Sequence, residues 1–80
     1  MNIAIINYVF SKAANEDYLK IEYGNNRSIE IKKQFSDYKI LGRGYYLELQ
    51  DKPHKETHYI KTDVIDSITI IKPKFKPIKL

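Results

Sequence analysis

Cysteine is absent from this 80-residue chain, and glycine and proline occur only three times each. The first absence excludes disulfides and thiolate metal sites, so packing alone must hold the fold. It also fits a reducing compartment. No stretch approaches the ~20 apolar residues of a membrane-spanning helix. The opening "MNIAIINYVF" lacks the basic region and small-residue cleavage site of a signal peptide. These features lead us to expect a soluble, cytoplasmic protein with no membrane partner. The length allows one domain, which buries roughly 60–65% of the surface its unfolded chain exposes, so the core is thin.

Signs of catalysis are equally sparse. There is no cysteine nucleophile and no G-x-S-x-G, and the four serines fall at turns or strand edges. His54 and His58 are four apart in "HKETH", with Glu56 between them. The pair follows Pro53 at a loop-to-strand boundary, without a third ligand at a sensible spacing, and reads as exposed polar residues. Asp63 and Asp66 read as flanking a helical turn rather than as an acid–base pair. The expectation is therefore no enzyme, no cofactor and no metal.

The composition is rich in Ile, Lys, Tyr and Asn, as an AT-rich genome produces in a low-GC bacterium or its phages. Net charge is +4, and its location is informative. Lys72, Lys74, Lys76 and Lys79 lie in the last nine residues with no acid, so residues 1–71 sum to zero. Within that body, Arg27, Lys32, Lys33, Lys39 and Arg43 outweigh Glu30 and Asp37, whereas residues 44–71 are net acidic. A basic segment and a basic tail on one face would attract phosphates or acidic protein surfaces.

The dominant hydrophobic period is two. "YLELQ" sets Tyr45, Leu47 and Leu49 against Tyr46, Glu48 and Gln50. "DYLKIEY" sets Leu19, Ile21 and Tyr23 against Tyr18, Lys20 and Glu22. "SIEIKKQF" sets Ile29, Ile31 and Phe35 on one face, interrupted by Lys33. Such alternation predicts half-buried antiparallel strands. Ile3–Phe10 is apolar on both faces and reads as a central strand or one covered by a partner. "SKAANED" reads as a loop or as a two-turn helix capped by Ser11. "GNNR" predicts a hairpin turn and "QDKPHKE" a longer one. "KTDVIDS" reads as one helical turn, with Val64 and Ile65 inward, before a last strand "SITII". "LGRGYY" reads as a turn or, in preference, as a kink within one long bent strand, glycine marking the corner of a small barrel.

The expected fold is therefore mainly β: five or six antiparallel strands in a small barrel or curled sheet, over residues 1–71. A basic, Pro-containing tail over residues 72–80 follows. The order of elements, with "HYIKTDVIDSITII" at its end, is similar in architecture to SH3-like and Sm-like barrels. That similarity implies closure of a curled sheet to protect its edges.

Candidate binding residues follow from charge and aromatic phase. Tyr46, Tyr18 and Tyr59 fall opposite the apolar face and should be exposed, where they can stack on bases or anchor a protein interface. Arg43, between two glycines, can offer a phosphate its guanidinium and backbone N–H groups. The set is Arg27, Lys32, Lys39, Arg43, Tyr46, Tyr59, Lys72, Lys74, Phe75 and Lys76. Pro73 and Pro77 make the tail either a guarded edge or a docking strap. Two functions fit. One is a non-enzymatic, self-associating protein-interaction module, an adaptor or inhibitor of the kind phages and mobile elements encode. The other is a nucleic-acid-binding small β-barrel that uses the basic patch and exposed tyrosines.

Overall fold

A computed structural model describes residues 1–73. The chain opens with a helix, α1 (Ile3–Lys12), and six strands follow: β1 (Tyr18–Tyr23), β2 (Arg27–Lys32), β3 (Ser36–Leu41), β4 (Tyr46–Asp51), β5 (Glu56–Lys61) and β6 (Ile65–Ile71). They form two three-stranded antiparallel sheets, ordered β2-β1-β6 and β3-β4-β5. Among the described residues no strand pairing joins one sheet to the other.

The expected first strand is instead α1. Asn2 sets its start: the side-chain Oδ1 accepts from the Ala4 N–H at 2.7 Å, and the carbonyl accepts from Ile5 and Ile6. Ile6, Phe10 and Ala13 are buried, a helical i, i+4, i+7 stripe that a short, uniformly apolar run disguises as a strand. Ser11 lies in the last helical turn and donates to the Tyr8 carbonyl, so it caps nothing. Ala13 ends the helix.

Both predicted hairpins form, β1–β2 through residues 24–26 and β4–β5 through residues 52–55. "LGRGYY" is a turn rather than a kink: β3 and β4 pair in antiparallel register across it, from Leu41 opposite Tyr46 to Ser36 opposite Asp51. Gly42, Arg43 and Gly44 all have positive φ (60°, 59° and 101°), which turns the chain back on itself. Tyr45 sits in this turn, outside the alternation of β4, and is 72% exposed rather than in the core.

The chain passes between sheets at two short 3₁₀ corners. Lys33–Phe35 links β2 to β3, and Thr62–Val64 links β5 to β6. The first corner explains why Lys33 interrupts the apolar pattern and why Phe35 is exposed. At the second, Ile65 turns inward as expected, but Val64 does not.

These corners expose an internal repeat. The Lys33 N–H donates to the Asp17 carbonyl before β1, and the Thr62 N–H donates to the Tyr45 carbonyl before β4. The Phe35 carbonyl accepts from Lys52 after β4, and the Val64 carbonyl accepts from Gly24 after β1. The unit β1–β2–corner–β3 thus matches β4–β5–corner–β6, with "YLKI" aligned on "YLEL" and "IK" on "IK". Each unit gives its third strand to the other: β3 pairs with β4, and β6 with β1.

Both sheets and the helix contribute to one core: Leu19, Ile21, Ile31 and Ile65 from the first sheet, Leu47, Leu49 and Ile60 from the second, and Ile6, Phe10 and Ala13. The Phe10 and Tyr38 rings stack at 4.1 Å, and the Tyr38 hydroxyl donates to Asn7 Oδ1, fixing the helix against β3. At the other end of the helix, the Met1 amino group donates to the Thr62 carbonyl, and Ile3 lies against Gly44. A Cβ added to Gly44 would stand 2.2 Å from Ile3 Cδ1.

Asp17 ties the remaining pieces. Its carboxylate, fully buried, accepts from the Ala14 N–H at 2.9 Å and from Lys72 Nζ at 2.7 Å. Lys72, expected to begin the tail, therefore reaches back into the body. The Lys72 ammonium foremost, and the Ala14 N–H after it, hold the Asp17 pKa below its ordinary 3.8.

Two predictions follow from these contacts. Asp17→Asn should lower the thermal midpoint at neutral pH by on the order of 5–10 °C. Because Asp17 has a depressed folded pKa, its stabilisation is present above pH 3.8 and lost as pH falls through the lower folded value. Acid unfolding followed by circular dichroism should accordingly be shallower in the variant than in the parent. Gly44→Ala, strained by its φ of 101° and its contact with Ile3, should cost roughly 1–3 kcal/mol in urea unfolding. Gly24→Ala, with φ of 57° and open space around it, should cost about 1 kcal/mol.

Candidate ligand-binding clefts

The strand registers place the exposed tyrosines. On the outer face of the β3-β4-β5 sheet, Tyr46 lies opposite Lys61, and Glu48 lies between Tyr59 and Lys39. The β1–β2 hairpin brings Tyr23 and Arg27 toward the end of β5, and there a cleft forms. It is lined by Tyr23, Asn25 and Arg27 from the hairpin, Tyr59 and Lys61 from β5, and Val64 from the second corner. No carboxylate lines it. Arg27 and Lys61 form no salt bridge among the described residues. Lys61 also lines a neighbouring cleft with Tyr45, Tyr46 and Asp63.

The repeat places an equivalent cleft at the first corner, lined by Tyr18, Glu30, Lys32, Phe35, Asp51 and His54 among others. Position by position the chemistry differs. Tyr59 corresponds to Glu30, Tyr23 to Asp51, Arg27 to Glu56, and Lys61 to Lys32. The Lys32 ammonium stands 5.7 Å from the Phe35 ring centroid, a cation–π contact. One cleft is thus cationic and aromatic, while the other carries acids beside its bases.

The expected site residues divide accordingly. Arg27 and Tyr59 share the acid-free cleft, Arg27 and Tyr23 also line a neighbouring cleft with Glu22 and Asp66, and Tyr46 belongs to the adjoining one. Lys32 lies at the equivalent cleft. Lys39 sits in a depression that Asp37 and Glu48 also line, so its charge is offset. Arg43 is exposed in the tight turn, where the Tyr45 N–H is already given to the Gly42 carbonyl. Lys72 is engaged by Asp17. Lys74, Phe75 and Lys76 lie outside the described residues. Asp17 links the tail's root to the basic 27–43 segment, its carboxylate accepting from Lys72 and its carbonyl from the Lys33 N–H.

Sequence reasoning missed Tyr23, Tyr45 and Lys61. Tyr23 is in phase with Leu19 and Ile21, but it ends the strand and is only half-buried. Lys61 carried a usable signal, since it falls in phase with Tyr59 on a strand whose other face holds Ile60.

The two histidines act separately. His54 Nδ1 lies 2.8 Å from Asp51 Oδ2, whereas His58 Nε2 approaches Glu56 at 3.6 Å. Among the described residues no group of three His, Cys, Asp or Glu side chains is placed to hold a metal. The hydrogen bond that His54 donates to Asp51, then the carboxylate's charge, raises the His54 pKa above 6.5. Burial acts to raise Asp51, but the His54 ring and backbone N–H more than offset it, leaving Asp51 below 3.8. No protein-family model matches this chain, and no curated protein or solved structure matches it. None of the described helices is long and apolar enough to cross a membrane.

The His54–Asp51 pair yields a direct test. His54 should titrate above pH 6.5 by NMR, with Asp51→Asn returning it toward the ordinary value. The raised folded pKa means that its stabilisation is complete below pH 6.5 and lost as pH rises through the folded value. With the imidazole largely exposed, that effect on stability is small.

Proposed function

We propose that this protein is a non-enzymatic binding module for single-stranded nucleic acid, built on a small open barrel of SH3-like or Sm-like order. The strand–corner–strand passages at both ends of the sheets support the barrel reading. The observation that carries the function is the acid-free cleft, where Tyr23 and Tyr59 accompany Arg27 and Lys61. Base stacking on tyrosine and phosphate attraction to Arg and Lys are the two forces that hold single strands without strict sequence preference. Lys39 and Arg43, the more obvious basic residues by sequence, contribute less, because neither lines the acid-free cleft.

Self-association through the helix is the second reading. Ile5 and Tyr8, one turn apart, are 51% and 62% exposed, an apolar face that a protein partner or a second copy would cover.

A fluorescently labelled ten-nucleotide uridine strand should bind in about 50 mM salt and weaken steeply as salt rises. Tyr59→Ala should cost roughly 10- to 100-fold in affinity, Arg27→Ala should reduce both affinity and salt dependence, and Lys39→Ala should change little. Absence of binding at low salt, or preference for an oligoglutamate peptide over the oligonucleotide, would overturn the proposal. Absence of binding together with a dimeric mass in solution would favour the second reading.

A further inference from the structure

Lys61 is the one residue shared by the cleft of Tyr23 and Tyr59 and the cleft of Tyr45 and Tyr46. It ends β5 with an exposed side chain. Tyr59, two residues earlier on the same face of the strand, lies roughly 6.6 Å back along it. Tyr46, its partner across the ladder, lies about 5 Å away. The two rings are diagonal neighbours, about 7–8 Å apart at their backbones, with the ammonium rooted between them. Asp63 also lines the second cleft, and Lys61 is the cation that the two clefts share.

We propose, resting on the nucleic-acid reading, that the unit recognised is a dinucleotide step. One base lies against Tyr59 and Tyr23, the next against Tyr46 and Tyr45, and Lys61 holds the phosphate that joins them. That backbone spacing exceeds the 3.4 Å advance per residue of a stacked strand. The two bases are therefore splayed rather than stacked on each other, which a duplex does not permit at either position. Arg27, at the outer end of the first cleft, meets the next phosphate along.

The test compares a mononucleotide with a dinucleotide on the intact protein. Uridine monophosphate, the dinucleoside monophosphate UpU, its thymidine counterpart dTpdT and the ten-uridine strand are titrated in low salt by NMR. UpU should bind at least tenfold more tightly than uridine monophosphate and shift the ring signals of both Tyr59 and Tyr46. Lys61→Met, whose fold is verified by circular dichroism, should abolish that advantage, weakening UpU by more than it weakens the mononucleotide. A dTpdT affinity equal to that of UpU assigns recognition to base and phosphate, whereas a loss assigns part of it to the 2′-hydroxyl. If the ten-uridine strand binds but UpU gains nothing over the mononucleotide, or if Lys61→Met keeps the advantage, the dinucleotide unit is wrong and the broader function stands. If the ten-uridine strand does not bind, both fall.

Discussion

Four backbone hydrogen bonds at the two corners hold the architecture in place. Lys33 to Asp17 and Thr62 to Tyr45 fix where each corner begins, while Lys52 to Phe35 and Gly24 to Val64 fix where each ends. A strand leaving one sheet can join the other only if its turn is satisfied in this way, since buried peptide groups without partners are costly. Each corner borrows its partners from both units. Neither unit can set its corner alone, and the exchange of third strands follows from the same dependence. The corners also decide where the clefts open, because each cleft lies beside a corner and the hairpin that bonds to it.

The duplicated scaffold separates what the fold requires from what a site requires. Positions that face the core keep their character across the repeat: Leu19 and Leu47, Ile21 and Leu49, Ile31 and Ile60 are all buried aliphatics. Positions that line the clefts diverge in charge. Where the second corner's cleft has tyrosine at 23 and 59 and arginine at 27, the corresponding positions hold Asp51, Glu30 and Glu56. The shared backbone permits either chemistry, so the difference must come from the side chains. It turns one cleft toward anions and leaves the other with an internal Asp51–His54 pair.

Much of the sheet was legible in the residues, because a half-buried strand writes its period directly into the sequence. Leu47 and Leu49, like Leu19 and Ile21, were assigned inward by alternation alone, and both hairpins by their Gly, Asn and Pro. The helix was not, because seven apolar residues around Asn7, without a charged face, satisfy either period, and the Asn2 cap was the only local sign of helix. The glycines of "GRG" were ambiguous for a related reason: positive φ serves a bulge and a turn equally, and only the pairing of β3 with β4 decides between them. The candidate site was half legible. Phase identified Tyr59 and Tyr46 as exposed, and charge identified Arg27, but which of them meet depends on the packing of a hairpin from one sheet against a strand from the other.

That dependence bears on how charge should be read in a small domain. The net charge of +4 drew attention to the tail and to residues 27–43 as whole segments. Folding redistributes those charges. Asp17 takes Lys72, and Asp37 and Glu48 share a depression with Lys39. What remains for a ligand is set by the acids that fold next to each base rather than by the sum. Residues 44–71 are net acidic by sequence, yet Lys61 from that stretch faces a cleft without a carboxylate. A local surplus of one sign within reach of a ligand focuses the field over a few ångströms, where screening is weakest. The proposed binding chemistry therefore rests on an electrically neutral body whose charge is unevenly placed.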